Sequence, residues 1–192
     1  MSLTRFIRTR FKPILDPSAA LLAHAGLTPN FLSSLGLGFA LIAGFLFATK
    51  PAQPYLAAIV VVISGIMDIL DGTVARQTHH FSGSLNDSIL DRISEIAIYA
   101  GIVAANYLSP VIVLMALGAS LMTSYLAAKA EALGIPMTRH PGLAQRAERL
   151  APIIIFALLD YVSIGVYISL VLSSVTCIQR YLYIVHTATF VN

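Results

Sequence analysis

The sequence predicts an all-α integral membrane protein with six transmembrane helices, preceded by an amphipathic helix lying in the membrane interface. Three observations carry that expectation. Of 192 residues, 57% are hydrophobic and only 11% are charged, against roughly 25% charged in a soluble domain, and the mean hydropathy is +0.82. The apolar residues fall into six runs, roughly 31–49, 54–71, 89–108, 110–129, 149–160 and 162–182, several of them near the ~20 residues that a bilayer requires. The lysines and arginines segregate between alternate gaps separating those runs.

Residues 1–26 interleave Arg5, Arg8, Arg10 and Lys12 with Phe6, Ile7, Phe11 and Leu15. This pattern suits a helix at the headgroup level with its basic side toward anionic lipid, and Pro13 and Pro17 are expected to break it in two. No cleavable signal peptide is expected there, because the stretch has no uninterrupted apolar core. Residues 27–192 then form one membrane domain. Thr28-Pro29-Asn30 reads as a helix cap and turn before the first run. Later breaks fall at Lys50-Pro51 with Pro54, in an aspartate-rich stretch, at Ser109-Pro110, between 134 and 142, and at Asp160 near Gly165. The fifth run is short, and reaches spanning length only if 144–150 continue its helix. Gly36, Gly38, Gly44, Gly65, Gly101, Gly118, Ser120 and Ser124 lie within the runs, where small residues allow close helix contact in lipid.

With the N terminus in the cytoplasm, Arg5, Arg8, Arg10, Lys12, Arg76, Arg92, Lys129, Arg139, Arg146, Arg149 and Arg180 lie inside and Lys50 alone outside. That asymmetry orients a multi-pass protein of the cell membrane. The net charge of +3 is explained by topology and anionic lipid, so no nucleic-acid partner is expected. One cysteine, Cys177, excludes an internal disulfide and reads as apolar packing.

The chemistry concentrates between Asp68 and Asp91. That stretch holds four of the chain's nine acidic residues, Asp68, Asp71, Asp87 and Asp91, flanked by hydrophobic sequence. Carboxylates gathered beside an apolar phase repel one another and are costly to desolvate, so a positive partner is required. Asp68 and Asp71, on the last turn of one helix, share a face. Asp87 and Asp91 share a face at the start of the next. The linker between them allows the pairs to converge into an all-oxygen site suited to one or two Mg²⁺ or Mn²⁺ ions. Gly72 and Gly83 let a ligand approach the backbone, and Arg76 offers a fork to phosphate oxygens. The bland alternative is a set of helix-capping aspartates, which accounts for one or two acids but not two pairs. His79 and His80, adjacent and without cysteines, make a poor zinc site. Glu95 continues the series from Asp91 and is expected beside Arg92 or a metal-bound water.

Asp68-x-x-Asp71-Gly72-x-x-Ala75-Arg76 followed by Gly83-x-x-x-Asp87-x-x-x-Asp91 resembles the signature of the CDP-alcohol phosphotransferases, membrane enzymes that build phospholipids by displacing CMP from a CDP-linked substrate. The interval from Arg76 to Gly83 is somewhat shorter than is usual in that family. The resemblance implies six spans around a polar cavity open to the cytoplasm, a homodimer, and two Mg²⁺ ions (Mn²⁺ as an alternative) held by Asp68, Asp71, Asp87 and Asp91. It makes Asp91 the general base. It also implies a site for CDP-diacylglycerol or CDP-archaeol built from Thr28, Pro29, Asn30, Phe31, Gly72, Ala75, Arg76, Thr78 and Gly83.

A second polar cluster follows the fourth run. Lys129, Arg146 and Arg149, joined by Arg180, could receive an anionic substrate, with Glu148 orienting one arginine. Equally, they could be a positive-inside loop that only fixes topology. Ser124–Gly134 and Gly142–Leu150 resemble the region where phosphatidylinositol-phosphate and archaetidylinositol-phosphate synthases receive the phosphate of inositol phosphate, although Ala127 stands where bacterial members tend to carry lysine. The expected activity is therefore transfer of a phosphatidyl or archaetidyl group to inositol phosphate, with glycerol 3-phosphate or serine as alternative acceptors. A Mg²⁺ transporter is the rival of another class, set against outer half-spans that are almost wholly apolar. A membrane scaffold with capping aspartates is another rival.

Overall fold

The computed structural model describes residues 3–49, 54–78, 84–137 and 142–189, and these are helical, without strands. The expected loop contacts of Gly83, His79 and His80 lie outside the described residues. Two short helices, α1 (Leu3–Arg10) and α2 (Lys12–His24), precede α3 (Pro29–Ala48), α4 (Pro54–Thr78), α5 (Ser84–Ala104), α6 (Pro110–Ala132), α7 (Arg146–Leu158) and α8 (Val162–Thr189).

Helix starts follow local chemistry. Helices α3, α4 and α6 each begin on a proline, which is pre-set for a first turn and lacks a donor that would otherwise be orphaned. Thr28 caps α3, its Oγ1 accepting from the Phe31 amide at 3.3 Å. The leader breaks once, at Phe11; Pro13 starts α2, and Pro17 is accommodated inside it. At α7 the Gln145 amide donates to Glu148 Oε2 at 2.8 Å. Glu148 thus caps its own helix.

Among the described residues, α3, α4, α6 and α8 are long and apolar enough to cross a membrane. Leu41, Phe45, Leu114, Met115 and Val171 are exposed on their outer faces, the inverse of a water-soluble surface and the signature of a protein solvated by lipid. Helix α5 carries Asp87, Asp91, Arg92 and Glu95 in its first half, while α7 has only 13 residues, about 20 Å of helix. Neither matches a simple apolar span by composition and length, unlike the third and fifth runs read from the sequence.

The core lies where α3, α5, α6, α7 and α8 meet, around Phe47, Ile98, Tyr99, Val113, Ile153 and Val166. Close approach of α3 and α5 is enforced at one point: a Cβ on Gly101 would lie 2.0 Å from the Gly44 carbonyl oxygen, and one on Gly44 2.3 Å from that of Ala97. Not every small residue serves packing, however. A Cβ on Gly38, Gly65 or Gly118 would meet nothing within 4 Å. Helix α2 is anchored through Ala19, which joins Leu32 of α3 and Val74 of α4 in a separate buried cluster.

Candidate active site

Helix α4 supplies the first half of the site. It does not end at the aspartates, as the apolar run implied, but continues two turns beyond Asp71 to Thr78. Asp68, Asp71, Gly72, Ala75, Arg76 and Thr78 therefore belong to one rigid helix. Helical periodicity persists past the apolar segment because Thr-Val-Ala-Arg still buries Thr73 and Val74. The mid-helix position of Asp68 and Asp71 rules out capping as their role. Helix α5 supplies Asp87 in its first turn and Asp91 one turn later.

The structure brings these residues together. Carboxylate oxygens of Asp68, Asp71 and Asp87 lie within 4.8 Å of one another, a spacing that several oxygens around one divalent cation require. Asp71 is 4% exposed and accepts a 2.7 Å hydrogen bond from Ser33 Oγ of α3. That bond fixes one carboxylate oxygen and leaves the other to a ligand, the arrangement by which outer groups orient metal ligands. The donor set thus fits Mg²⁺ or Mn²⁺, and Asp68, Asp71 and Asp87 are the residues that would hold the ion. Asp91 lines the same pocket but is engaged differently. Arg146 Nη1, from the start of α7, donates to Asp91 Oδ1 and lies 3.3 Å from Asp68 Oδ1, and Arg92 pairs with the other Asp91 oxygen at 3.6 Å.

The four basic residues expected to form one anion pocket are distributed over three settings. Arg146 stands among the acids. Arg149 is 1% exposed and sits in a buried network: its Nε donates to Ser120 Oγ at 2.7 Å, Nη1 to the Ala144 carbonyl at 3.2 Å, and Nη2 faces Glu95 Oε1 at 3.8 Å. Ser120 Oγ in turn donates to Glu95 at 2.6 Å. Glu95, expected beside Arg92 or a metal-bound water, is paired with Arg149 and Ser120. Arg180 is buried on α8 and donates to the Thr123 carbonyl of α6, and Thr123 Oγ1 bonds the Ser120 carbonyl at 2.7 Å. Lys129 is exposed on the last turn of α6.

Of the remaining expected residues, Arg76 is exposed and its Nη2 donates to Thr73 Oγ1 at 3.0 Å, while Thr78 bonds the Val74 carbonyl at 2.9 Å. Pro29 is buried, and Asn30 and Phe31 are exposed at the start of α3. A cavity of about 350 Å³ opens beside the acids between α4 and α7, with Ile7 of α1 at its edge. Val61, Ile69, Ile98, Leu150 and Ile154 line it, and Asp68, Asp91 and Arg146 lie at its polar end. The cavity thus joins an apolar wall to the charged groups of the acid cluster. Ser33 was not singled out from the sequence, and Ser120 was read there only as a small packing residue. Their only signal is a hydroxyl inside an apolar run, which is also how an ordinary small packing residue looks.

This combination of an all-helical membrane scaffold and clustered aspartates on adjacent helices defines a class: residues 26–190 match the CDP-alcohol phosphatidyltransferase family model, and the chain belongs to that family. It is a phospholipid-synthesising transferase by that membership. Among its relatives, the archaetidylinositol phosphate synthase of Pyrococcus horikoshii is 36% identical over 176 residues, covering 91% of this chain and 92% of that protein. The phosphatidylinositol phosphate synthase of Mycobacterium tuberculosis is 32% identical over 190 residues, covering 90% and 86%. A crystal structure of the M. tuberculosis enzyme with manganese and citrate superposes with a TM-score of 0.79 at 28% identity, covering 89% of this chain and 88% of that one. A second, with CDP-DAG bound, gives 0.78 at 28% identity, covering 90% and 94%.

Proposed function

We propose that this chain transfers a phosphatidyl or archaetidyl group from a CDP-lipid to the hydroxyl of inositol phosphate, releasing CMP, with Mg²⁺ or Mn²⁺ bound at Asp68, Asp71, Asp87 and Asp91. The convergence of three carboxylates within 4.8 Å beside an apolar cavity carries the reading. Its relatives are named for inositol phosphate products, and a relative has been crystallised with manganese and with CDP-DAG.

In this scheme the lipid tail lies in the cavity between α4 and α7. The nucleotide lies along the last turns of α4, where Gly72 and Ala75 leave room, Arg76 and Thr78 offer donors, and the Thr28–Phe31 turn flanks them. Bound divalent cations would neutralise pyrophosphate charge and stabilise departing CMP. Asp91 takes the proton from the acceptor hydroxyl. An ionised aspartate is a weak base, so positioning supplies much of the acceleration. Arg146 binds the acceptor's phosphate from the start of α7, with Arg149, Arg180 and Lys129 behind it. The Arg146 guanidinium at the cavity favours a phosphorylated acceptor over serine.

Six membrane crossings follow if α5 and α7, packed among the four apolar helices, also traverse the bilayer. The lysine and arginine asymmetry puts the N terminus and the acid cluster on the cytoplasmic side. Residues 1–26 lie in the interface, with Phe6, Phe11, Ile14 and Leu21 exposed for lipid. The homodimer rests on the family resemblance.

The test is an acceptor screen on purified protein, following CMP release from CDP-diacylglycerol and CDP-archaeol with Mg²⁺. Inositol phosphate is expected to give the fastest release, glycerol 3-phosphate and serine little. Chelation with EDTA should stop the reaction and Mn²⁺ restore it. No CMP release with any acceptor overturns the proposal.

A further inference from the structure

We propose that Arg146 is a resident counter-ion of the acid cluster, which a second divalent cation must displace, and that displacement frees its guanidinium for the acceptor's phosphate. This rests on the cation-dependent transferase reading given above.

The quartet of aspartates is divided. Carboxylate oxygens of Asp68, Asp71 and Asp87 lie within 4.8 Å of one another, whereas Asp91 is bound by Arg146 Nη1, which also reaches Asp68 Oδ1 at 3.3 Å. Arg146 Nη2 adds a contact to the Asp91 carbonyl at 3.4 Å. Asp68 and Asp91 would hold a second divalent cation only through the carboxylate oxygens that Arg146 Nη1 now contacts. The ion and the guanidinium compete for them.

Charge favours the exchange at the second ion, not the first. Four ionised carboxylates with Arg146 and Arg92 carry a net charge of −2, which one divalent cation offsets. A second makes the cluster positive, and releasing Arg146 removes one of those positive charges. Like charges about 4 Å apart in a partly buried site repel by several kcal/mol at an effective dielectric of 20. Arg92, the other cation near Asp91, is more exposed and contacts it at 3.6 Å.

Arg146 is also built to leave. Its Nε is buried without a hydrogen-bond partner, so its resting seat leaves one donor unsatisfied, a cost that a bidentate phosphate removes. It is the first residue of α7, just after the turn at Gly142, whose φ is +86°. It lines both the acid pocket and the apolar cavity, and so stands between the cation site and the tail of the lipid. Cation loading would then precede acceptor binding.

The experiment measures Mn²⁺ binding to the purified full chain in lipid nanodiscs by electron paramagnetic resonance of free Mn²⁺, with no substrate present. In R146Q the second ion is expected to bind at least tenfold more tightly than in wild type, with the first changed less than twofold. D91N should lose the second ion and keep the first. Should R146Q not yield monodisperse protein, R146K carries the test, with the second ion expected at least threefold tighter because an ammonium lacks the fork that spans Asp68 and Asp91. An R146Q or R146K protein that binds the second ion no more tightly than wild type, or a D91N protein that still binds it as wild type does, overturns the exchange while leaving the transferase reading intact. Wild type that binds no Mn²⁺ at all overturns the transferase reading itself.

Discussion

At the scale of single residues, the site depends on a hydroxyl as much as on its carboxylates. Ser33 holds Asp71 through a 2.7 Å bond between buried groups. Losing an orienting partner of this kind typically costs 10–100-fold in metal affinity. S33A is therefore expected to weaken the first Mn²⁺ by about tenfold while leaving the fold intact, as read by Mn²⁺ titration beside a thermal melt. D91N is expected to abolish CMP release and preserve CDP-lipid binding; near-normal turnover would remove Asp91 from the base role. R146A should raise the Michaelis constant for inositol phosphate far more than that for the CDP-lipid, and equal effects on both would argue against a separate acceptor subsite. The aspartates were legible in the sequence because four acids at i+3 and i+4 spacing have no cheap apolar explanation. Ser33 was not, since it faces Asp71 across 38 residues of chain and carries no charge to betray it. Arg146 was expected in the acceptor pocket, and nothing local to its helix announces a pairing with Asp68, 78 residues away.

At the scale of elements, two contacts between helices hold the site's geometry. One is the glycine crossing of α3 and α5, where no side chain fits. G101A must push the backbones apart at a cost of about 1–3 kcal/mol or more, and should lower the melting temperature and weaken Mn²⁺ together, because α3 carries Ser33 and α5 carries Asp87. The other is the ion pair between Glu95 of α5 and Arg149 of α7, tied to α6 through Ser120. Burying such a pair stabilises little by itself, but removing one partner leaves a charge stranded at about 3–5 kcal/mol. E95A is expected to be strongly destabilised, and E95L/R149M to recover stability in a double-mutant cycle; additive losses would refute the pairing. The sequence indicated the helices well, since prolines mark three starts. It misjudged the end of α4, because a charged helical extension looks like a loop when only hydropathy is followed.

At the scale of the whole molecule, apolar residues both fill the core and cover the outer faces, while the ionisable groups Asp71, Glu95, Arg149 and Arg180 are held inside. Four helices satisfy the length and composition of a crossing, while the two with mixed composition, α5 and α7, carry Asp87, Asp91 and Arg146. Ionisable groups near the start of a short or mixed helix erode its hydropathy signal, whereas α4 keeps a plain apolar span ahead of Asp68 and Asp71. That is why the sequence yields six apolar runs, but only four plain spans emerge.

The cavity between α4 and α7 places an apolar channel directly beside the reacting groups. A molecule arriving that way stays within the plane of the bilayer from start to finish, and its effective concentration is a mole fraction, not a molarity. Diluting the CDP-lipid with inert phospholipid at constant bulk amount should therefore slow turnover, whereas diluting the whole suspension with buffer should leave the lipid dependence untouched. Encounter, on this geometry, is a two-dimensional search.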